Sequence, residues 1–220
     1  MAKLTPTKPL LILLYGFPGA GKTAFARQLC ENLVAAHIQG DRIRAELFEN
    51  PTYGKDENHI VSSLMTYMAG EFLNSGVSVI FDTNAMRVAQ RRALRNLAVK
   101  THAESILVWL QIDEESAFTR VAKRDRRKAD DRYAQSLDRT SFEHLNAGMQ
   151  NPSTTEHYLV ISGKHVFSTQ KSAILRRLQE LKLINADATT THVGKPGLVN
   201  LVPNPLAGRV DMSRRNIVIR

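Results

Sequence analysis

The chain has 220 residues, 43% hydrophobic and 23% charged, with a formal net charge of +9. These values exclude a wholly disordered chain and suit one α/β domain with elaborations, large enough for a substantial core. The longest apolar run is too short to span a bilayer, so no membrane partner is expected, and the single cysteine, Cys30, excludes an intrachain disulfide. Cys30 falls within an expected helix, where it reads as a small buried hydrophobe. No secretory apolar segment precedes the first apolar run, and a cytoplasmic setting is the expectation.

Residues 10–15, LLILLY, are uninterrupted apolar and predict a buried parallel strand. Gly16-Phe17-Pro18-Gly19-Ala20-Gly21-Lys22-Thr23 follows at once and fills every fixed position of the phosphate-binding pattern G-x-x-x-x-G-K-[ST]. Residues 24–33 then carry apolar side chains at helical spacing. Glycines let successive amides turn inward as an anion nest, and the helix N-terminus adds its positive end. Lys22 is thereby a candidate for the β- and γ-phosphates of ATP and Thr23 for Mg2+.

Residues 35–39 predict a second strand running into Gly40-Asp41-Arg42-Ile43-Arg44. Ligands of open parallel sheets bind beyond the carboxyl ends of strands, so Asp41 is a candidate both to cap the next helix and to accept a proton from an attacking hydroxyl. Arg44, three residues on, is a candidate for a substrate phosphate. Residues 49–56 read as a loop, and residues 57–74 as an amphipathic helix ended by Ser75-Gly76.

Residues 77–82 are a third apolar strand closing on Asp82, the position of a second, water-mediated Mg2+ anchor. Thr83 and Asn84 follow at the crevice as candidate substrate contacts. A basic helix is expected over residues 87–101, with Arg87, Arg91 and Arg95 on one face. That face is either solvated or binds phosphate, and Arg87 is the candidate nearest the substrate. A fourth strand over 105–112 precedes a helix over about 114–127 that ends in a run of arginines and lysines. Such a segment can close over ATP as a lid and stabilise the transferring phosphoryl group. A short helix over 142–149, a last strand over 158–161 and a closing helix over 168–183 complete the pattern, with Ile174, Leu175, Leu178 and Leu181 expected inward. From residue 185 the chain turns Pro- and Thr-rich. Its short apolar segments, 198–202 and 217–219, suit a hairpin, strand addition to another chain, or a loose extension.

Taken together, GFPGAGKT, Gly40-Asp41-Arg42-Ile43-Arg44, the strand ending Phe81-Asp82-Thr83-Asn84 and the arginine-rich segment after Trp109 resemble the P-loop kinase group that includes polynucleotide 5′-hydroxyl kinases. Zeta-toxin-like and small-molecule kinases are looser relatives within the same AAA-type ATP-binding domain. The resemblance covers about residues 10–183. It implies an α/β three-layer sandwich with a mostly parallel central sheet, a helical lid at about 120–139, a kinase domain over 1–184 and an extension over 185–220. It also implies Lys22 and Thr23 at ATP and Mg2+, Asp41 as general base, Arg44 on the acceptor, and Arg124 with Arg120 or Arg127 in the lid. The expected reaction is transfer of the γ-phosphate of ATP to a substrate hydroxyl, with a nucleic-acid 5′-hydroxyl among the acceptors. The rivals are a kinase for a metabolite, nucleoside, sugar or antibiotic, and an ATP-dependent binding or regulatory module. The tail offers a route to a homo-oligomer.

Overall fold

The computed structural model describes residues 3–84, 87–153 and 155–185. In chain order the elements are β1 (Leu10–Tyr15), α1 (Lys22–Asn32), β2 (Ala35–Gln39), α2 (Gly40–Leu47), α3 (Lys55–Asn74) and β3 (Ser78–Asp82). They continue as α4 (Val88–Lys100), β4 (Glu104–Gln111), α5 (Glu114–Ala122), α6 (Arg139–Ala147), β5 (Tyr158–Ser162) and α7 (Phe167–Glu180). The five strands form one parallel sheet in the order β2-β3-β1-β4-β5.

The apolar run of β1 takes the centre because both of its faces must be covered. Leu10, Ile12 and Leu14 join one core cluster, and Leu11, Leu13 and Tyr15 the other. On the first side lie α1 and α7, packed on one another, and on the second α3 and α4. This is a three-layer α/β sandwich. The chain leaves β1 toward β2 and leaves β4 toward β5, so the connections diverge and open a crevice at the carboxyl edge of the sheet. Among the described residues no helix is long and apolar enough to cross a membrane.

Several boundaries differ from the sequence expectation. Gln39, not Asp41, is the N-cap of α2, because β2 runs into the helix without a loop. Asp41 therefore sits in the first helical turn and makes no capping bond. The expected 49–56 loop is shorter, since α3 starts at Lys55. The helix expected to reach residue 127 stops at Ala122. Beyond it the backbone turns, with the Asp125 amide donating to the Asp131 carboxylate at 3.2 Å. The lid is consequently built of turns as far as Asp138, whose side chain caps α6 by accepting from the Ser141 amide at 2.7 Å. Leu181 is 40% exposed at the end of α7 rather than inward, and Leu183 and Ile184 enter the core in its place. The expected extension, its hairpin and any oligomer through it lie, beyond Asn185, outside the described residues.

The basic face of α4 is neither solvated nor a phosphate surface along its length. Arg87 is its exposed N-cap, whereas Arg91 is wholly buried. Arg91 donates through Nε and Nη2, each at 2.9 Å, to the two carboxylate oxygens of Glu156, and Arg95 also donates to that carboxylate. The Arg91 guanidinium stands 5.3 Å from the Tyr15 ring centroid, and Tyr15 Oη donates to Asn151 at 2.9 Å. The segment entering β5 is thus pinned to α4 and β1. Glu156→Ala leaves a buried guanidinium without its counter-charge and should cost about 3–5 kcal/mol in urea unfolding, while Arg91→Met/Glu156→Leu should recover most of that loss. Hydrogen bonds from Arg91, against the opposing effect of burial, hold the Glu156 carboxyl at about 2, below its ordinary 4.5. A depressed folded value means stabilisation complete above the ordinary value and lost as pH falls through that window. The double variant should therefore lose less stability than wild type between pH 4.5 and 2.

Candidate active site

The crevice holds a cavity of about 690 Å3. Its floor is the loop from β1 to α1, where Gly19 and Gly21 have φ of 84° and 93°. Such angles favour glycine, and at Gly19 a Cβ would also stand 2.3 Å from the Ala117 carbonyl of α5. Pro18, Gly19, Gly21, Lys22 and Thr23 line the cavity. Gly16, Phe17 and Ala20 build the turn beneath it: Ala20 is buried and Phe17 packs on Phe142.

Lys22 donates to the Gly16 and Phe17 carbonyls at 2.8 and 2.9 Å. Burial lowers its ammonium to about 8, against the pull of the Asp82 charge. Asp41, from the first turn of α2, also lines the cavity, and burial and the neighbouring Asp82 raise its carboxyl above the ordinary range. A carboxylate with raised proton affinity is suited to accepting a proton.

Across the cavity stand Arg120 and Arg124 with Lys123 and Lys128. Arg120 donates to the Gly163 carbonyl at 2.9 Å and Arg124 to the Gln135 carbonyl at 2.6 Å. The lid is tied to α1 by Arg27, which donates to Asp130 at 2.8 Å. Arg127 is not brought in: its side chain is 92% exposed and pairs with Asp125. Arg44 is buried outside the cavity wall, held by Glu57 and Asn58 with its guanidinium 4.6 Å from the Tyr53 ring centroid. Arg87 likewise lies off the wall.

Asp82 and Asn84 do line it, and the buried Asn84 Oδ1 has no partner among the described residues. Asp82 accepts from His37 Nε2 at 2.9 Å, a contact absent from the sequence expectation. The alternation of β2 puts His37 and Gln39 on one face, but only the strand order identifies the carboxylate across from them. The clamp of Arg44 by Glu57 is a second such case. Among the described residues no group of three or more His, Cys, Asp and Glu side chains could hold a metal. The Thr23 hydroxyl and Asp82 carboxylate are hard oxygen donors beside an anion nest, which fits Mg2+ completed by phosphate oxygens and water.

The family described as an AAA domain matches residues 11–152. The chain belongs to this family. No curated protein matches it significantly in sequence. The solved structures resembling it include a sugar kinase from Janibacter sp. HTCC2649, at 17% identity and TM-score 0.57, covering 84% of this chain and 99% of that one. A gluconokinase from Sinorhizobium meliloti 1021 has 18% identity and TM-score 0.58, over 79% and 94% of the two chains. Kti12 from Chaetomium thermophilum, in complex with ADP-AlF3, has 16% identity and TM-score 0.59, over 77% and 97%. At these identities the likeness is one of fold, and the fold is that of the P-loop kinases.

The partly buried lysine gives a direct test. The Lys22 amine should titrate near pH 8, well below an ordinary lysine, in NMR of the reductively 13C-methylated protein. Adding ATP should move that midpoint upward, because phosphate charge favours the ammonium. An amine titrating at the ordinary 10.5 would show that it is not desolvated.

Proposed function

We propose that the protein transfers the γ-phosphoryl group of ATP to a substrate hydroxyl. The observation that carries this reading is the convergence on one cavity of a helix N-terminus, Lys22, two carboxylates at the carboxyl edge of the sheet, and Arg120 and Arg124 opposite. The acceptor oxygen attacks the γ-phosphorus in line, the bond from that phosphorus to the β-bridging oxygen breaks, and ADP leaves. Asp41 takes or orients the proton of the attacking hydroxyl, while Lys22, the loop amides and Arg124 face the charge on the phosphate oxygens. Thr23 and Asp82 would hold Mg2+, which when bound neutralises phosphate charge.

The unit carrying this activity is residues 1–184 with its lid at 120–139. We assign residues 185–220 no part in this activity, and take the setting to be cytoplasmic. Arg44 acts on the acceptor side by fixing α2 through Glu57. Asn84 and Arg87 flank the acceptor entrance, and Arg127, within the lid, reaches the phosphates only if it releases Asp125.

A small hydroxyl-bearing acceptor is favoured over a polynucleotide by one observation. Of the face carrying Arg87, Arg91 and Arg95, Arg91 is buried and Arg95 is held by Glu156, which takes two of its three cations from a phosphate backbone, while Arg87 and, on another face, Arg92 stay exposed. A nucleic-acid 5′-hydroxyl is the second reading, supported by the basic lid residues Arg126, Arg127 and Lys128, which are exposed.

Transfer from γ-labelled ATP to a panel of sugars, nucleosides and 5′-hydroxyl oligomers decides between them. Label is expected on a small acceptor. Lys22→Ala should lower turnover on the order of a hundredfold or more. Asp41→Asn should lower turnover with ATP binding retained. Labelled oligomer would establish the second reading. No labelled acceptor, with ATP still bound, would instead indicate a nucleotide-dependent binding module.

A further inference from the structure

Asp82 is nearly inaccessible, yet it borders the cavity at the end of β3. A carboxylate there must present a defined oxygen outward, and the end of a strand does not by itself fix its torsion. In the β2–β3 register His37 stands opposite Ile80 and Gln39 opposite Asp82, so His37 lies two residues behind Asp82 on the same face. The imidazole covers that diagonal and meets Oδ2 through Nε2 at 2.9 Å. A carboxylate only accepts, so Nε2 carries the hydrogen, in the neutral ring as well as in the charged one. Among the described residues this is the one side chain hydrogen-bonded to Asp82.

We infer that His37 is a positioning residue: by tethering Oδ2 of Asp82 it keeps Oδ1 available to a hydrated divalent cation. This rests on the nucleotide and Mg2+ reading above. Hydrogen bonds to ligating carboxylates have this orienting role in metal sites generally, and their loss typically costs about 10–100-fold in metal affinity.

The test is calorimetric titration of the full chain with a non-hydrolysable ATP analogue, in Mg2+ and in EDTA, for wild type, His37→Leu and His37→Gln. The quantity read is the gain in affinity that Mg2+ confers. His37→Leu should lose about 10-fold or more of that gain while keeping the metal-free affinity, because the loop is untouched. His37→Gln, whose amide can donate along the same path, should keep most of it. A full Mg2+ gain in His37→Leu overturns the inference and leaves the metal site standing. So does equal loss in the two variants, which would mean that His37 serves packing rather than the hydrogen bond. No Mg2+ gain in wild type overturns the metal reading itself, and the inference with it.

Discussion

An ammonium partly withdrawn from water at the carboxyl edge of the sheet is the condition on which the site depends. Lys22 is held against the Gly16 and Phe17 carbonyls by the turn that leaves β1, and burial lowers its proton affinity. α5 lies against the same loop, where the Ala117 carbonyl occupies the space a Cβ on Gly19 would need. The loop, the helix behind it and the helix above it are therefore one packing unit. A nearby anionic charge would oppose that shift, because it favours the ammonium that desolvation disfavours.

The same folding solves two electrostatic problems in opposite ways. On the α4 side Arg91 and Glu156 are buried and fully engaged, with Arg95 added, and they bind the segment before β5 to the helix. Nothing in that network faces the cavity, and its role is to hold the strand that completes the sheet. At the cavity, charges of both signs line one wall with less complete pairing: Lys22, Arg120, Lys123, Arg124 and Lys128 stand against Asp41, Asp82, Asp130 and Asp131. Burial, and then the neighbouring Asp82, raise the Asp41 carboxyl, and Arg124 pulls it back. Fully neutralised charges make a scaffold, whereas partly neutralised ones in a concave space make a place for a charged substrate.

Much of this was legible in the chain. The buried run of residues 10–15, the glycine loop and the first helix are local features, each set by near neighbours, and they appear where periodicity puts them. Asp82 at the end of an apolar strand and Asp41 after β2 were found by the same logic, since strand ends in a parallel sheet converge on one edge. The misjudged positions are of another kind. Spacing alone put Arg87, Arg91 and Arg95 on a common face but could not say that Glu156, more than sixty residues away, would claim two of them. The helix expected to continue to residue 127 ends at Ala122, and the turn beyond it is held by a later residue, Asp131, which accepts from the Asp125 amide.

The sequence by itself determined the strand, glycine loop and helix, the α/β class and the two strand-end carboxylates, because glycine permissiveness and hydrophobic period act over a few residues. Only the tertiary structure decided which charges meet. It paired His37 with Asp82, Arg44 with Glu57 and Arg91 with Glu156, and it put Arg124 on the cavity wall while leaving Arg127 outside. The reason is physical: a charged side chain is satisfied by whatever counter-charge the strand order brings within about 3 Å, and sequence separation does not enter that distance.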